Sequence, residues 1–149
     1  MVTDAGRLIP LIPTRGNHDR GRLFNECFGF ESRDEHNWYA VSFGSLLRVV
    51  TLNTETSIAG DQARWLRAEL TESTRTHRWV VPQYHRPGFA AVKISSGALA
   101  HWVPMFEEFN LKLASECDGH VINRTVPIPG GKHDDTGVVY IGEGGFGVG

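Results

Sequence analysis

Three short polar segments of this 149-residue sequence carry residue types that bind metal ions. They are Asn17-His18, His85 and Gly119-His120, and each follows a segment whose pattern predicts a β-strand. Imidazole nitrogen and amide oxygen are both metal ligands, so two neutral histidines and one amide can hold one side of a divalent metal centre. Because ligand-binding groups of α/β proteins gather at the carboxyl ends of strands, convergence of the three segments would form a metal site.

A structural interpretation competes with this one for each histidine. A lone histidine after a strand is more often part of a capped turn, or a buried side chain with satisfied hydrogen bonds, than a ligand. The common position of all three segments favours the metal interpretation over the structural one.

The first half of the chain contains three elements that would position these segments. The apolar stretch Arg7 to Thr14 predicts a short strand, and its two prolines suit a sheet edge or a bulge. Two β-rich runs within residues 37–54, divided by Phe43-Gly44-Ser45, predict a hairpin. The segment that begins at Asp61 has apolar residues at helical spacing and predicts an amphipathic helix capped by Asp61.

The second half continues the alternation of strands and helices. Strands are predicted over Arg78 to Tyr84, Asn110 to Cys117 and Gly137 to Gly142. Apolar residues at spacings of three and four predict a helix over Ala98 to Phe109, which Pro104 kinks or divides. The sequence has no internal repeat or linker, so one α/β unit over residues 1–149 is the simplest account.

Composition excludes several classes of protein. With 40 % apolar and 21 % charged residues, the chain is neither disordered nor collagen-like. Its apolar runs are far shorter than the roughly 18 residues of a membrane helix, so we expect no membrane span. A net charge of −2 with scattered lysines indicates no nucleic-acid-binding patch. The first residues lack a signal-peptide pattern, which leaves the localisation open. The sequence also leaves the oligomeric state open.

The polar segments also resemble, in order and spacing, the motifs of the calcineurin-like metallophosphoesterase family, which includes the purple acid phosphatases. RGNHD at 15–19 is similar to the family's Gly-Asn-His-Asp/Glu block, QYHRP at 83–87 to its single-histidine block, and DGHVI at 118–122 to its Gly-His-x-His block. The hairpin and the following helix are also similar to the family's. The resemblance covers nearly the whole chain and implies an α/β fold with layered β-sheets flanked by helices.

This resemblance implies the hydrolysis of phosphate esters with two divalent metal ions, among which Mn, Fe, Zn and Mg are not distinguished. Asn17, His85 and His120 would bind one ion, and His18 would contact the substrate phosphate or protonate the leaving oxygen. In intact members, a metal-bound hydroxide attacks phosphorus. Two cations also orient the ester and neutralise charge on its oxygens, and a histidine is a suitable general acid near neutral pH.

The chain departs from the family pattern in two places. The blocks Asp-x-His and Gly-Asp-x-x-Asp/Asn, which carry the bridging carboxylate and most ligands of the other ion, do not fit in the sixteen residues before Asn17. The second histidine of Gly-His-x-His is Ile122, which cannot coordinate a metal. Three neutral ligands form a poor cage for a hard cation, so we predict weak metal binding by this chain alone.

Other residues offer only weak substitutes for the lost ligands. Asp34-Glu35-His36 and Gly60-Asp61 match the missing blocks in letters, but both follow the Asn-His block and are expected to be a loop and a helix cap. Asn123 carries an amide oxygen, one residue out of register. Arg86 beside His85 is either a phosphate contact or, more simply, a surface arginine.

Two functional classes remain for the chain. The first is a metal-dependent phosphoesterase that carries part of a dinuclear site and acts on a phosphate ester, whether monoester, diester, nucleotide, lipid or phosphoprotein. The alternative is a catalytically inactive remnant or binding module that retains the phosphoesterase fold. A serine hydrolase lacks a Gly-x-Ser-x-Gly elbow, and the terminal GEGGFG at 142–147 has no following helix to bind a dinucleotide.

Overall fold

A computed structural model describes residues 2–31, 36–91 and 93–143. Six strands lie in these ranges: β1 (Tyr39–Phe43), β2 (Leu47–Thr51), β3 (Trp79–Gln83), β4 (Leu113–Glu116), β5 (Asn123–Arg124) and β6 (Val139–Gly142). Four helices accompany them: α1 (Gly21–Phe28), α2 (Asp61–Thr76), α3 (Ser96–His101) and α4 (Val103–Glu108). The predicted α/β class is confirmed, and the strands of the described residues form a single sheet in the order β1-β2-β3-β4-β6-β5.

The middle of the sheet is parallel. Strands β2, β3, β4 and β6 run in the same direction, whereas β1 and β5 pair antiparallel at the two edges. Parallel strands have their carboxyl ends at one edge of a sheet. The residues that follow β2, β3 and β4 therefore leave the sheet on the same side.

The predicted hairpin and first long helix are both present. Tyr39 of β1 lies opposite Thr51 of β2, and a turn at Gly44 with a φ of 58° joins the two strands. Helix α2 begins at Asp61, but its N-cap is Gly60, so the prediction that Asp61 caps the helix is wrong. Asp61 is the first helical residue instead, and its carboxylate contacts Arg64 one turn along.

The helix predicted over Ala98 to Phe109 is divided, as Pro104 indicated. Helix α3 ends at His101, Trp102 serves as the junction, and Pro104 lies in the first turn of α4. A proline is tolerated there because the first-turn N–H groups have no partner within the helix.

The core lies between the sheet and the helices α2, α3 and α4. Trp102 is fully buried and packs edge-on against Tyr84, with ring centroids 5.4 Å apart, and Phe106 packs on the same tyrosine. Leu66 and Leu70 of α2 are also fully buried. Tyr84 directly precedes His85, so the core anchors the chain just before the candidate site. Among the described residues, no helix combines the length and the apolar character needed to cross a membrane.

The strand predicted over Arg7 to Thr14 is wrong. This region contains only an isolated pairing of Val2 with Leu8, and Leu8 is 81 % exposed. Pro10 and Pro13 lack the N–H groups that a strand needs for its ladder, which explains the irregular backbone.

Two elements were not predicted from the sequence. In α1, Phe24 is buried and packs against Phe28 and Phe30. The spacing of four residues between Phe24 and Phe28 was the sequence signal for this helix. Strand β5 has only two residues and depends on its pairing with β6. Two of the weaker sequence features, Asp34-Glu35 and residues 144–147 of the terminal glycine cluster, lie outside the described residues.

Gln62 of α2 stabilises the loop that follows β2. Its buried side chain accepts a hydrogen bond from the N–H of Asn53 at 2.7 Å and donates to the carbonyls of Asn53 and Ser57 at 3.0 Å each. The substitution Gln62→Leu removes all three bonds, and the two to Asn53 lie in a buried environment. We expect a loss of about 2–4 kcal/mol in the free energy of unfolding, measured with urea.

The control for this prediction is Glu72→Ala on the same helix, where the side chain is exposed. We expect a change within about 0.5 kcal/mol for the control. Equal effects of the two substitutions would show that Gln62 has no special role in the loop.

Candidate metal site

Asn17 and His85 meet at the carboxyl edge of the sheet. The Asn17 Oδ1 atom lies 2.9 Å from His85 Nε2, although 68 residues separate them in the chain. A tight turn presents Asn17: the Gly16 N–H donates to the Asp19 carboxylate at 2.7 Å, and the Asp19 N–H donates to the Gly16 carbonyl at 3.1 Å. A Cβ atom at Gly16 would lie 2.9 Å from the His85 ring, so the close approach requires glycine.

His85 lies two residues after the end of β3, and its environment favours the neutral imidazole. Burial lowers the pKa of His85 below its ordinary value, and the nearby carboxylates of Asp118 and Glu55 oppose this shift without reversing it. The neutral imidazole is the form that binds a metal ion. His85 therefore needs to lose no proton at neutral pH before it can coordinate.

Asp118 brings a carboxylate into the site that the sequence analysis did not identify. Its side chain is only 2 % exposed, and its Oδ1 atom lies 3.6 Å from His85 Nε2 and 3.0 Å from Lys93 Nζ. Burial acts to raise the pKa of Asp118, but the hydrogen bond from Lys93 and the charge of His85 hold the pKa below its ordinary value. The ligands predicted from the sequence were all neutral, and the structure places this carboxylate beside one of them, His85.

The turn that carries Asp118 and His120 has an unusual backbone. Both residues have a positive φ, 55° and 54°, and the Gly119 N–H donates to the Cys117 carbonyl at 2.6 Å. Non-glycine residues rarely adopt this region, and such strain is found preferentially at ligand-binding sites. His120 is exposed, and its Nε2 atom lies 3.4 Å from Lys93 Nζ. Lys93 thus connects His120 to Asp118.

His18 lies next to Asn17 but faces another part of the surface. Its exposed side chain lines a shallow pocket together with Asp19, Arg20 and four residues of α1: Leu23, Phe24, Cys27 and Phe28. The structure therefore brings Asn17 and His85 together and links His120 to Asp118 through Lys93, while the His18 side chain lies in the neighbouring pocket.

The remaining sequence candidates have structural partners. Arg86 forms a two-point ion pair with Glu55 at 2.7 and 3.0 Å, which ties the loop after β2 to the loop after β3. Asn123 donates to the carbonyl of Phe89 at 3.3 Å and packs against Gly142. Ile122 is 88 % exposed.

A buried carboxylate supports the backbone after His85. Glu116 Oε1 accepts hydrogen bonds from the Tyr84 hydroxyl at 2.6 Å and from the Gly88 N–H at 2.7 Å. Because Glu116 ends β4 two residues before Asp118, these bonds join the two loops that carry His85 and Asp118. Glu116 was not predicted as part of the site.

The pH dependence of stability tests the role of Glu116. Burial raises the pKa of Glu116 above its ordinary 4.5, and the hydrogen bonds from Tyr84, Gly88 and Phe89 oppose the shift only in part. The folded state binds this proton more tightly than the unfolded state, so stability is lost as pH rises through the folded pKa. Relative to the parent, Glu116→Gln should therefore gain free energy of unfolding between about pH 4 and pH 7 in urea titrations.

Glu55→Gln provides a comparison with the opposite sign. Burial raises the pKa of Glu55, but hydrogen bonds from Arg86 and Thr54 outweigh burial and lower the pKa overall. The Glu55 carboxylate contributes stability above its unfolded pKa, so Glu55→Gln should lose stability relative to the parent over the same rise in pH. Slopes of the same sign for the two variants would contradict the assignment.

The spacing of Asn17 Oδ1 and His85 Nε2 suits two ligands of one divalent ion. Ligands bound at about 2.1 Å and at right angles lie about 3.0 Å apart, close to the separation between Asn17 Oδ1 and His85 Nε2. Asp118 adds an oxygen donor and His120 a nitrogen donor. In the part of the chain that the structure describes, however, no group of three histidine, cysteine or acidic side chains is arranged to hold a metal ion.

Comparison with solved structures relates this arrangement to known folds. A purple acid phosphatase from seeds of yellow lupin (Lupinus luteus) superposes with a TM-score of 0.66 over 74 % of this chain and 23 % of that chain, at 16 % sequence identity. The chain has a purple acid phosphatase-like fold. GAP50, the anchor in the inner membrane complex of Plasmodium, superposes with a TM-score of 0.57 over 74 % of this chain and 38 % of that chain, at 12 % identity.

Sequence comparison finds relatives with a higher sequence identity than these two solved structures. An uncharacterised protein present in two strains of Mycobacterium tuberculosis is 25 % identical in an alignment of 167 positions, gaps included, that covers 90 % of this chain. The match spans only 31 % of the length of that relative. No family model matches the sequence.

Proposed function

We propose that this chain carries part of the active site of a metal-dependent phosphoesterase that hydrolyses phosphate esters. The observation that carries this proposal is the contact between Asn17 and His85 at 2.9 Å, at the carboxyl edge of a sheet with a purple acid phosphatase-like fold. The two residues belong to separate motifs, and folding brings together the two donor types that the motifs supply. A hydrogen bond with only a structural role could join many kinds of polar side chain. This one joins two side chains of types that bind metal ions.

In this proposal, Asn17, His85 and His120 bind one divalent ion, and Asp118 supplies a carboxylate beside them. The ion would supply Lewis-acid activation of the phosphate ester. His18, the residue after Asn17, protonates the leaving oxygen or contacts the phosphate. Mn, Fe, Zn and Mg all remain compatible with a set of amide, imidazole and carboxylate donors.

The chain contributes one half of a two-ion site. The carboxylates that the family resemblance assigns to the second ion are not supplied by the matching motifs of this sequence, and the chain spans 31 % of its curated relatives. The activity of the whole protein therefore depends on ligands for the second ion that the motifs of this sequence do not supply. The in-frame DNA before Met1 tests this point, because an Asp-x-His followed by Gly-Asp-x-x-Asp/Asn would supply the missing ligands.

Hydrolysis of p-nitrophenyl phosphate in the presence of Mn²⁺ tests the activity. We expect a rate that depends on Mn²⁺ and falls on addition of a chelator. The absence of Mn²⁺-dependent hydrolysis over a wide range of metal concentrations would contradict the proposal for this chain.

A second candidate is a binding module that retains the fold without catalysis. Ile122, at the position of the second histidine of Gly-His-x-His, is 88 % exposed and offers no ligand. A structural neighbour at a TM-score of 0.57 is named as an anchor, which is a binding role. A folded chain that binds Mn²⁺ but hydrolyses no ester would favour this candidate.

A further inference from the structure

Lys93 lies at the candidate site but belongs to none of the three sequence motifs. Its ammonium donates to Asp118 Oδ1 at 3.0 Å and lies 3.4 Å from His120 Nε2. Its backbone has a φ of 60°, a region rare for lysine, which fixes the direction in which the side chain leaves the loop. The ammonium thus lies between the one carboxylate and one of the two imidazoles of the candidate site.

A metal ion and this ammonium would need the same atoms. An ion bonded to both Asp118 and His120 at about 2.1 Å would lie within a few ångströms of Lys93 Nζ. Two positive charges at that distance repel strongly, even in a partly solvated site. The lone pair of His120 that faces the ammonium is also the one that coordination would use. Both groups cannot occupy the position together.

The burial of the partners distinguishes this contact from an ordinary surface ion pair. The Asp118 side chain is 2 % exposed, so its charge needs a close positive partner. The Lys93 side chain is 43 % exposed and has a flexible four-carbon stem, so it can withdraw into water while Asp118 stays in place.

We propose that the Lys93 ammonium holds the cation position of this site when no metal is bound, and that a divalent ion binds Asp118 and His120 only by displacing it. The inference rests on the metal site of the proposed function. Lys93 thereby sets the concentration of metal at which the site fills. It also explains why the donor atoms lie together although no three acidic, histidine or cysteine side chains of the described residues form a metal group.

Calorimetric titration of Mn²⁺ into the 149-residue chain tests the competition. Lys93→Met keeps the length of the side chain and removes its charge, and we expect it to bind Mn²⁺ at least about tenfold more tightly than the parent. Lys93→Gly removes the charge and suits the positive φ, and the same gain is expected. Lys132→Met, at an exposed lysine, is the matched control and should leave the affinity unchanged.

Thermal unfolding provides a second measurement that does not depend on heat of binding. Without metal, Lys93→Met leaves the buried Asp118 charge without its ammonium, so its Tm should fall below that of the parent. Saturating Mn²⁺ should raise the Tm of Lys93→Met more than that of the parent. Adding Asp118→Asn to Lys93→Met should remove the gain in affinity, because the carboxylate is then lost.

The results separate this inference from the proposed function. Tighter Mn²⁺ binding by Lys93→Met without ester hydrolysis would support the competition and count against the phosphoesterase. Hydrolysis by the parent with no change in affinity on Lys93→Met would overturn the competition and leave the phosphoesterase standing. Equal or weaker binding by both Lys93 variants, or no measurable binding by any variant, would also overturn it.

Discussion

His18→Ala is expected, under the proposed function, to reduce turnover of a phosphate ester by about 10²- to 10⁴-fold in an active, complete form of the protein, with its metal content nearly unchanged. A general acid contributes a factor of this size because the leaving oxygen otherwise departs without a proton. His18 follows Asn17 in the chain, and its exposed side chain lines a pocket beside α1, whereas His85, Asp118 and Lys93 contact one another elsewhere. The substitution should therefore affect the chemistry and leave the ligands in place.

The matched control for His18 is His133→Ala. His133 is exposed and lies near Asp135, in the loop before β6 and away from the strand ends. We expect normal turnover for this control. Metal content is measured by atomic absorption on the same samples. If turnover of His18→Ala equals that of the parent, His18 has no part in the mechanism.

His85→Ala is expected to lower the affinity for Mn²⁺ by more than about 100-fold and to reduce hydrolysis to the background rate. Residues that only hydrogen-bond to a metal ligand already change affinity by about 10- to 100-fold, so the loss of a direct ligand should exceed that range. His85 is the centre of the group, since its Nε2 atom lies 2.9 Å from Asn17 Oδ1 and 3.6 Å from Asp118 Oδ1. Its loss removes a donor and the contact that connects two loops.

His101→Ala is the control for His85. His101 is exposed at the end of α3, so its loss should change neither affinity nor rate. Circular dichroism at the assay temperature establishes that both variants are folded. Wild-type affinity for Mn²⁺ in a folded His85→Ala would exclude His85 as a ligand.

Much of the fold was predictable because its elements have strong local patterns. The hairpin of β1 and β2 consists of two β-rich runs on either side of a glycine turn. Helix α2 has an apolar face, and its residues Leu66 and Leu70 are buried in the core. The strand predicted over Arg7 to Thr14 was wrong because the prediction relied on the apolar content of the segment. Pro10 and Pro13 lack the N–H groups that a strand needs for its hydrogen bonds. Strand β5 has no local pattern and exists through its pairing with β6.

The candidate site was predictable in part. Asn17 and His85 are recognised by motif, and the parallel strands explain how residues so distant in sequence come together. Asp118 and Lys93 were not identified, because their roles depend on two loops with positive φ values that bring them within 3.0 Å. A carboxylate directly after a parallel strand, at Asp118, was the one available signal.

The central claim is that Asn17, His85 and His120 bind one divalent ion at the strand ends, and paramagnetic broadening by Mn²⁺ tests it most directly. In nuclear magnetic resonance spectra of the chain, small additions of Mn²⁺ should first broaden the imidazole signals of His85 and His120 and the side-chain amide of Asn17. His101 and His133 should keep sharp signals at the same Mn²⁺ concentration. Uniform broadening of all histidines, or broadening centred on exposed acidic residues such as Asp134 and Asp135, would contradict the claim.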